Sequence, residues 1–137
     1  MRTIFWAGDS TVQMNRIDTY PQSGIGQGFL LYVNDGVTVK NYAKNGRSTK
    51  SFLDEGRFIP IEEQIRPGDF LFLQFGHNDE KKDLARRADP FGAYQTNLLY
   101  MITQARNSGA YPVLITPLAR RSFDADGKMM DTHAPYP

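Results

Sequence analysis

Residues 70–75, FLFLQF, are apolar with one polar exception and follow a Pro-Gly-Asp turn. Such a run is typical of a central parallel strand that is covered on both faces of its sheet. A shorter β-branched and aromatic run at residues 3–7 predicts another buried strand. Residues 37–42 alternate more clearly, which favours a strand nearer the sheet edge, and residues 111–116 predict a fourth strand.

Helical patterns lie between these strands. In residues 92–107 the apolar positions recur on one helix face, and a glycine follows soon after the last of them. Shorter helices are predicted over about residues 26–34, 48–56 and 60–65. Because strands alternate with helices, the sequence predicts an α/β fold of right-handed βαβ units, with a parallel sheet between helical layers.

The length and charge of the chain limit its classes of partner. The 137 residues are the size of one ordinary domain, so we predict a single domain over residues 1–137. A net charge of +1 gives no reason to expect nucleic acid or an anionic membrane as a partner. The absence of cysteine excludes disulfides and thiolate metal sites. Too few apolar residues precede Asp9 for a signal peptide, so we expect a cytoplasmic protein unless a leader has been removed.

Two stretches in the second half of the sequence are less regular. Residues 79–90 are highly charged and predict a mobile loop, and residues 117–137 show no helix pattern. Asp126-Gly127 predicts a small hairpin within that tail. A long tail without regular structure argues that the domain is C-terminally incomplete. The sheet edge that would then be uncovered could promote formation of a homo-oligomer.

Each of the first three predicted strands ends in polar or glycine residues that a core does not require. Gly8-Asp9-Ser10 follows the first strand, a turn that includes Gly46 follows the second, and Gly76-His77-Asn78-Asp79 follows the third. If the first strand lies between the other two, these ends meet at one edge of the sheet, where ligands bind in such folds.

The chemistry that these strand ends could perform together is acyl transfer. A serine hydroxyl becomes a nucleophile when a base removes its proton, and the tetrahedral intermediate needs hydrogen-bond donors. Ser10 is the candidate nucleophile, and the Ser10 and Gly46 backbone N–H groups and the Asn78 side-chain amide are the candidate donors.

Each of these motifs alone has an ordinary explanation as a turn or a helix cap. Two segments also partly match the motifs of other functions. Asp9 and Thr11 partly match an aspartate-dependent phosphotransferase motif, but Thr11 stands where that motif has its second aspartate. Residues 24–28 (GIGQG) hint at a dinucleotide-binding loop, but they follow no strand, so they indicate a flexible loop that enters a helix.

The segments FWAGDSTV, NYAKNGRSTKSF and FLQFGHND resemble the first three sequence blocks of the SGNH (GDSL-type) esterase family, most of all its rhamnogalacturonan acetylesterase-like members. The resemblance implies a flavodoxin-like three-layer α/β/α sandwich of five parallel strands. It implies that Ser10 is the nucleophile, that Ser10, Gly46 and Asn78 form the oxyanion hole, and that Asp9 and Asp79 support their loops. It also implies an esterase without metal or cofactor that removes acetyl or other small acyl groups from carbohydrates or other small esters.

The sequence departs from the family pattern at the catalytic base. The family takes its histidine from a C-terminal Asp-x-x-His block, which this sequence lacks. His133 lies in a near match, with one residue too few after Asp131, and His77 is expected to be a structural hydrogen-bonding residue. We therefore interpret the chain as truncated before its last strand, catalytic block and covering helix. Weak or absent esterase activity is expected for residues 1–137 alone.

The alternative function is an inactive saccharide-binding remnant, or a fragment that needs a complementing segment. Tyr20, Tyr42 and Phe123 are candidates for stacking on sugar rings. Arg120 and Arg121 are candidates for attracting a uronate-bearing saccharide, although solvated surface charge explains them as well.

Overall fold

The sheet has four strands, all parallel. The computed structural model describes residues 1–137. The strands are β1 (Arg2–Gly8), β2 (Val37–Asn41), β3 (Phe70–Gln74) and β4 (Tyr111–Ile115), in the order β2-β1-β3-β4. This is the strand order of flavodoxin-like sheets. The four predicted strands are confirmed to within one residue at each end, and so is the α/β fold class.

The helices are short except for the last. They are α1 (Ile25–Gly28), α2 (Thr49–Asp54), α3 (Ile59–Gln64) and α4 (Ala93–Asn107), with 3-10 turns at Ile17–Thr19 and Phe29–Tyr32. The prediction of one helix over residues 26–34 was wrong in part, because one turn of α-helix passes there into a 3-10 turn. The glycines of that segment have low helix propensity, which explains its short α-helical part.

The two faces of the sheet are covered unequally. On one face, the inward residues of β1 and β3 pack under helices α2 to α4 in the main core; examples are Phe5, Leu73 and Met101. On the other face, Trp6 packs edge-on against Phe29 and Phe72, with ring centroids 5.6 and 4.9 Å away. Since successive side chains of a strand point to opposite faces, β1 contributes to both clusters and is buried on both sides.

The position of β1 decides where the polar strand ends lie. In the register, Trp6 lies opposite Asn41 of β2, and Gly8 lies opposite Gln74 of β3. The ends of β1, β2 and β3 are therefore neighbours at one edge of the sheet, as predicted. No helix of the structure has the length and apolar character needed to cross a membrane.

The C-terminal tail has no long element, yet it is attached to the body of the protein. The predicted hairpin is present, with an antiparallel bridge between Phe123 and Met129. Further on, His133 is buried, and the hydroxyl of Tyr136 donates to the Ala88 carbonyl at 2.9 Å. The tail therefore packs against residues 79–90, which form the predicted loop, while the mobility of that loop stays a prediction.

Candidate active site

Ser10 lies in a tight turn directly after β1. The carbonyl oxygen of Asp9 accepts hydrogen bonds from the N–H groups of Val12 and Gln13, at 3.1 and 3.0 Å, which closes the turn. The Asp9 carboxylate accepts from the N–H of Thr11 at 2.8 Å and from its hydroxyl at 2.7 Å. These hydrogen bonds close the turn without Ser10, which is a partly exposed residue. Its hydroxyl and backbone N–H have no partner within the protein.

Glycines allow this turn to pack closely against its surroundings. A Cβ on Gly8 would lie 2.7 Å from Gln74 O and from a Val12 methyl group, so any side chain there would displace the turn. A Cβ on Gly24 or Gly26 would lie within 2.4 to 2.7 Å of backbone atoms of Val12 or Gln13. Gly24 and Gly26 are therefore a packing surface for the Ser10 turn, and the helix that this segment was predicted to enter is α1.

The second predicted donor, Gly46, lies in the loop between β2 and α2. Its φ angle is +79°, a left-handed conformation that favours glycine, and a Cβ there would meet no atom within 4 Å. The space beside Gly46 is therefore open. Its backbone N–H has no partner within the protein, so it is available to a ligand, like the N–H of Ser10.

The third predicted donor, Asn78, is buried at the end of β3. Its side-chain nitrogen donates to the carbonyl of Arg47 at 3.1 Å, and its side-chain oxygen accepts from Arg86 at 3.4 Å. An amide nitrogen carries two hydrogens, so one remains after the bond to Arg47. The same bond fastens the loop of Gly46 to the end of β3.

Further bonds join the three strand ends. Lys44 N donates to the carbonyl of Gly8 at 3.0 Å, which continues the pairing of β1 and β2 beyond the sheet. The Gln13 side chain accepts from the N–H of Asn45. The structure thus brings the loops of Ser10, Gly46 and Asn78 together in one hydrogen-bonded unit, and their assignment as nucleophile and oxyanion hole stays a prediction.

Two buried carboxylates lie under the site. One oxygen of Asp79 accepts from the N–H of Thr49 at 2.9 Å and from its hydroxyl, which ties the start of α2 to the end of β3. Burial raises the pKa of Asp79 to about 6, against the lowering effect of these hydrogen bonds. The second oxygens of Asp79 and Asp9 are buried without a partner.

The two histidines lie side by side, with ring centroids 4.2 Å apart. His133 has both ring nitrogens occupied: Nε2 lies 3.0 Å from the carbonyl oxygen of Leu118, and Nδ1 lies 3.0 Å from the Glu80 carboxylate. Asp131 accepts from the backbone N–H of His133 at 3.2 Å and does not bind its ring. His133 is therefore a structural residue, and neither of its nitrogens is directed at Ser10.

His77 is half-buried, and its ring makes no hydrogen bond. Burial lowers the pKa of His77, while the charge of Asp9 acts to raise it. The expectation that His77 is a hydrogen-bonding residue was wrong, because its polar contact to Arg120 is made by its backbone carbonyl. The buried hydrogen-bonding histidine of this protein is His133.

Two supporting residues were missed by the sequence analysis. The Gln74 side chain accepts from the Thr11 hydroxyl at 3.3 Å and donates to the Thr116 carbonyl at 2.9 Å, so it joins the ends of β1, β3 and β4. The side-chain nitrogen of Asn41 donates to the carbonyl of Val12 at 2.8 Å. The sequence signal for both residues is a polar side chain near the end of an otherwise apolar strand. In the structure, each of these side chains forms a hydrogen bond to a neighbouring strand end.

The sequence is similar to known esterases. No family model matches it. The rhamnogalacturonan acetylesterase RhgT of Bacillus subtilis (strain 168) is 43% identical over 134 residues, which are 98% of this chain and 56% of the relative. A rhamnogalacturonan acetylesterase of Emericella nidulans is 38% identical over 80 residues, 57% of this chain and 29% of that relative.

A solved structure extends this similarity to the fold. The crystal structure of YxiM from Bacillus subtilis matches with a TM-score of 0.86 at 30% identity, over 98% of this chain and 38% of that chain. YxiM is named an uncharacterized esterase. The present chain spans little more than half the length of RhgT.

The strand order, the three polar strand ends and these relatives agree with one another. The chain is a homologue of proteins named rhamnogalacturonan acetylesterase and of the esterase YxiM, and its three strand-end motifs are similar to those of the SGNH (GDSL-type) hydrolase family.

Proposed function

We propose that the protein is a serine esterase that removes acetyl groups from a rhamnogalacturonan-type saccharide through an acyl-enzyme. The observation that carries this proposal is the pair of unpartnered backbone N–H groups of Ser10 and Gly46 on adjacent strand ends. The anchored Asn78 amide lies at the next strand end. Names of relatives that share 43% and 38% identity support the acetylated saccharide as substrate.

In the proposed reaction, the Ser10 hydroxyl oxygen attacks the ester carbonyl and forms a tetrahedral intermediate. The N–H groups of Ser10 and Gly46 and the free amide hydrogen of Asn78 donate to its oxyanion. Loss of one such donor typically costs about 3 kcal/mol of transition-state stabilisation. Collapse of the intermediate breaks the bond to the sugar oxygen, which leaves as an alcohol with the proton that the Ser10 hydroxyl released to solvent water, and acetyl stays on Ser10. A water molecule then attacks the acetyl carbonyl, the bond to Ser10 breaks, acetate leaves and the Ser10 oxygen regains a proton.

No side chain of residues 1–137 contacts the Ser10 hydroxyl as a base. The Ser10 hydroxyl has no partner, and both ring nitrogens of His133 are occupied. We therefore expect slow turnover, since the oxyanion hole and substrate binding alone give an acceleration on the order of 10³-fold over water.

Covalent labelling with a fluorophosphonate tests the nucleophile separately from turnover. We expect a single adduct on Ser10, formed slowly because no base contacts the hydroxyl and found by peptide mass spectrometry, and no adduct in Ser10→Ala. Ser23→Ala is the matched control, because Ser23 is an exposed serine of the nearby loop, and it should label like the unchanged protein. Labelling of Ser10→Ala at the original rate would overturn the assignment.

Hydrolysis of p-nitrophenyl acetate then separates an enzyme from an inactive remnant. Slow hydrolysis that disappears in Ser10→Ala supports the esterase. Binding of acetylated saccharide with no labelling and no hydrolysis would instead support the remnant. Fast hydrolysis that survives His133→Ala and disappears in Ser10→Ala would contradict the argument about the missing base.

A further inference from the structure

The orientation of the Asn78 amide is determined by one group on each side of it. Its nitrogen donates to the carbonyl of Arg47 at 3.1 Å, and its oxygen accepts from Nη1 of Arg86 at 3.4 Å. A carbonyl only accepts hydrogen bonds, and a guanidinium only donates them. Turning the amide by half a turn would therefore place two acceptors together on one side and two donors together on the other. Because Asn78 is buried, such mismatches cost more there than at an exposed position.

The loop after β3 returns Arg86 to this amide and holds it there. The N–H of Ala88 donates to the carbonyl of Asp79 at 3.0 Å, so the loop comes back to the end of β3. One carboxylate oxygen of Asp83 lies 2.9 Å from Nε and 2.7 Å from Nη2 of Arg86. The hydrogen bond from Arg86 is the main reason that the pKa of Asp83 is lowered. The remaining terminal nitrogen, Nη1, is the one that reaches Asn78.

This orientation matters because only the nitrogen of the amide carries hydrogens. With Arg86 on the oxygen, the nitrogen faces the loop of Gly46, whose own N–H is unpartnered. The reversed amide would present its oxygen to an oxyanion and repel it. A cationic donor on the amide oxygen also draws electron density from the nitrogen, which makes the remaining N–H a stronger donor.

We propose that Arg86 is a positioning residue of the oxyanion hole: it holds the Asn78 amide with its nitrogen toward Gly46 and strengthens the remaining N–H as a donor. This inference rests on the proposed function, because that function makes Asn78 an oxyanion donor. Arg86 makes no hydrogen bond to Ser10 or Gly46, so it acts through Asn78. One charge of the loop after β3 thereby has a defined role in the site.

The rate of fluorophosphonate labelling of Ser10 measures the effect on the reaction. Arg86→Met removes the charge and the donors and keeps an apolar stem. It should slow labelling about tenfold, less than the roughly hundredfold cost of losing an oxyanion donor, because Asn78 itself remains. Arg86→Lys keeps a cationic donor and should restore the rate to within about threefold of the original.

The matched control is Arg87→Met. Arg87 carries the same charge one position further along the loop, is exposed and makes no ion pair within the protein. Its variant should label like the original protein, and circular dichroism should show the same fold for all the single variants. Equal slowing in Arg86→Met and Arg87→Met would show a nonspecific effect of charge and overturn the proposal. An unaltered rate in Arg86→Met would overturn it as well.

A double variant separates positioning of the amide from general support of the loop. If Arg86 acts through Asn78, adding Arg86→Met to Asn78→Ala should slow labelling by less than about twofold, because the group that Arg86 positions is already absent. A full second slowing, equal to that of Arg86→Met alone, would show that Arg86 acts independently of Asn78 and overturn the proposal.

Nuclear magnetic resonance of the Asn78 side chain tests the orientation without any reaction. A cationic donor on the amide oxygen increases the double-bond character of the C–N bond and slows the rotation that exchanges the two amide hydrogens. This exchange should be at least about threefold faster in Arg86→Met and unchanged in Arg87→Met. Exchange in Arg86→Met at the original rate would overturn the proposal even if Asn78→Ala does not fold.

The two measurements distinguish failure of this inference from failure of the proposed function. Faster amide exchange in Arg86→Met, with labelling that is not specific to Ser10, would reject the esterase while Arg86 still orients Asn78. Specific labelling of Ser10, with unaltered labelling rate and amide exchange in Arg86→Met, would reject the positioning role and keep the esterase.

Discussion

Asp79 has the most unusual environment of any single residue in the candidate site. Its buried carboxylate joins the end of β3 to Thr49, and only one of its two oxygens has a partner. Burial raises its pKa from 3.8 to about 6. The group therefore retains its proton in the folded protein at pH values where it has lost it in the unfolded chain. That difference makes the stability of the fold depend on pH.

The variant Asp79→Asn should remove this dependence. Between pH 4 and 6 the folded state binds a proton that the unfolded state does not, so the contribution of Asp79 is present at low pH and lost as pH rises to about 6. Relative to the variant, the unchanged protein should lose on the order of 3 kcal/mol of unfolding free energy between pH 4 and 7.

Urea denaturation of both proteins at pH 4, 5, 6 and 7 measures this difference, and other titrating groups cancel in the comparison. A difference in unfolding free energy that stays constant with pH would contradict the raised pKa of Asp79. So would a difference that shifts in favour of the unchanged protein as pH rises. His77 acts with the opposite sign: burial lowers its pKa from 6.5, so its contribution is lost as pH falls through the folded-state value. His77 is common to both proteins.

Residue identities were predictable from the sequence where they lie in a local motif. Ser10, Gly46 and Asn78 follow predicted strands, and they lie at strand ends that the structure places side by side. The bonds of Gln74 and Asn41 were not predictable, because each links residues far apart in the chain. Such pairings depend on strand register, which single-sequence patterns do not provide.

Among the elements, the loop from β2 to α2 has its backbone conformation determined at two points. Ser48 and Ser51 form a reciprocal capping box at the start of α2. Such a cap stabilises a helix by about 1 kcal/mol. Two residues before this cap, Gly46 adopts its left-handed conformation. The helix start thus fixes the end of the loop, and the glycine sets the direction of the backbone N–H.

Gly46→Ala and Gly127→Ala form a matched pair that separates backbone strain from function. The φ angles are +79° and +76°, and a Cβ at either position meets nothing within 4 Å. Both variants should therefore lose roughly 1–2 kcal/mol of stability from the left-handed conformation alone. Only Gly46→Ala should also slow fluorophosphonate labelling of Ser10, by at least tenfold, because its N–H is displaced.

Denaturant melts and labelling rates check the two effects in parallel. Equal labelling rates in the two variants would remove Gly46 from the proposed oxyanion hole. A large stability loss in Gly127→Ala with none in Gly46→Ala would contradict the strain argument.

Elements with strong hydrophobic periodicity were predicted well, whereas the packing role of the glycine-rich segment 24–28 was not predicted. The strands and α4 have hydrophobic patterns that determine their type. Residues 24–28 have no such pattern, and Gly24 and Gly26 serve a tertiary contact with Val12 and Gln13. A close approach between segments that are distant in sequence leaves no periodic signal.

For the molecule as a whole, the tail acts as a strap across the loop after β3. Its attachment points are His133, which binds Glu80 and Leu118, and Tyr136, which donates to Ala88 and packs edge-on against Tyr94 at 5.1 Å. The sequence did not predict this docking, because the tail has no helical or strand pattern and its contacts are made by isolated residues.

His133→Ala should release the strap without unfolding the sheet. Removal of hydrogen bonds that involve a carboxylate costs about 1.5–3 kcal/mol, so amide exchange in residues 130–137 should accelerate about ten- to a hundredfold. Exchange in β1 and β3 should stay unchanged. Hydrogen exchange with mass spectrometry measures both regions.

The control is Phe123→Ala, a change at an exposed ring in the tail hairpin, which should leave exchange in residues 130–137 unaltered. Protection of that segment in His133→Ala equal to that of the original protein would show that the buried histidine does not hold the tail.

The single hydrogen bond from the Asn78 amide to the Arg47 carbonyl has an evolutionary consequence. It makes the geometry of one sequence block depend on the backbone of another that is 31 positions away in the chain. A substitution that shifts either loop also misplaces the other, so drift in one block is tolerated only with a compensating change in its counterpart. We therefore expect substitutions in the two blocks to covary among related sequences.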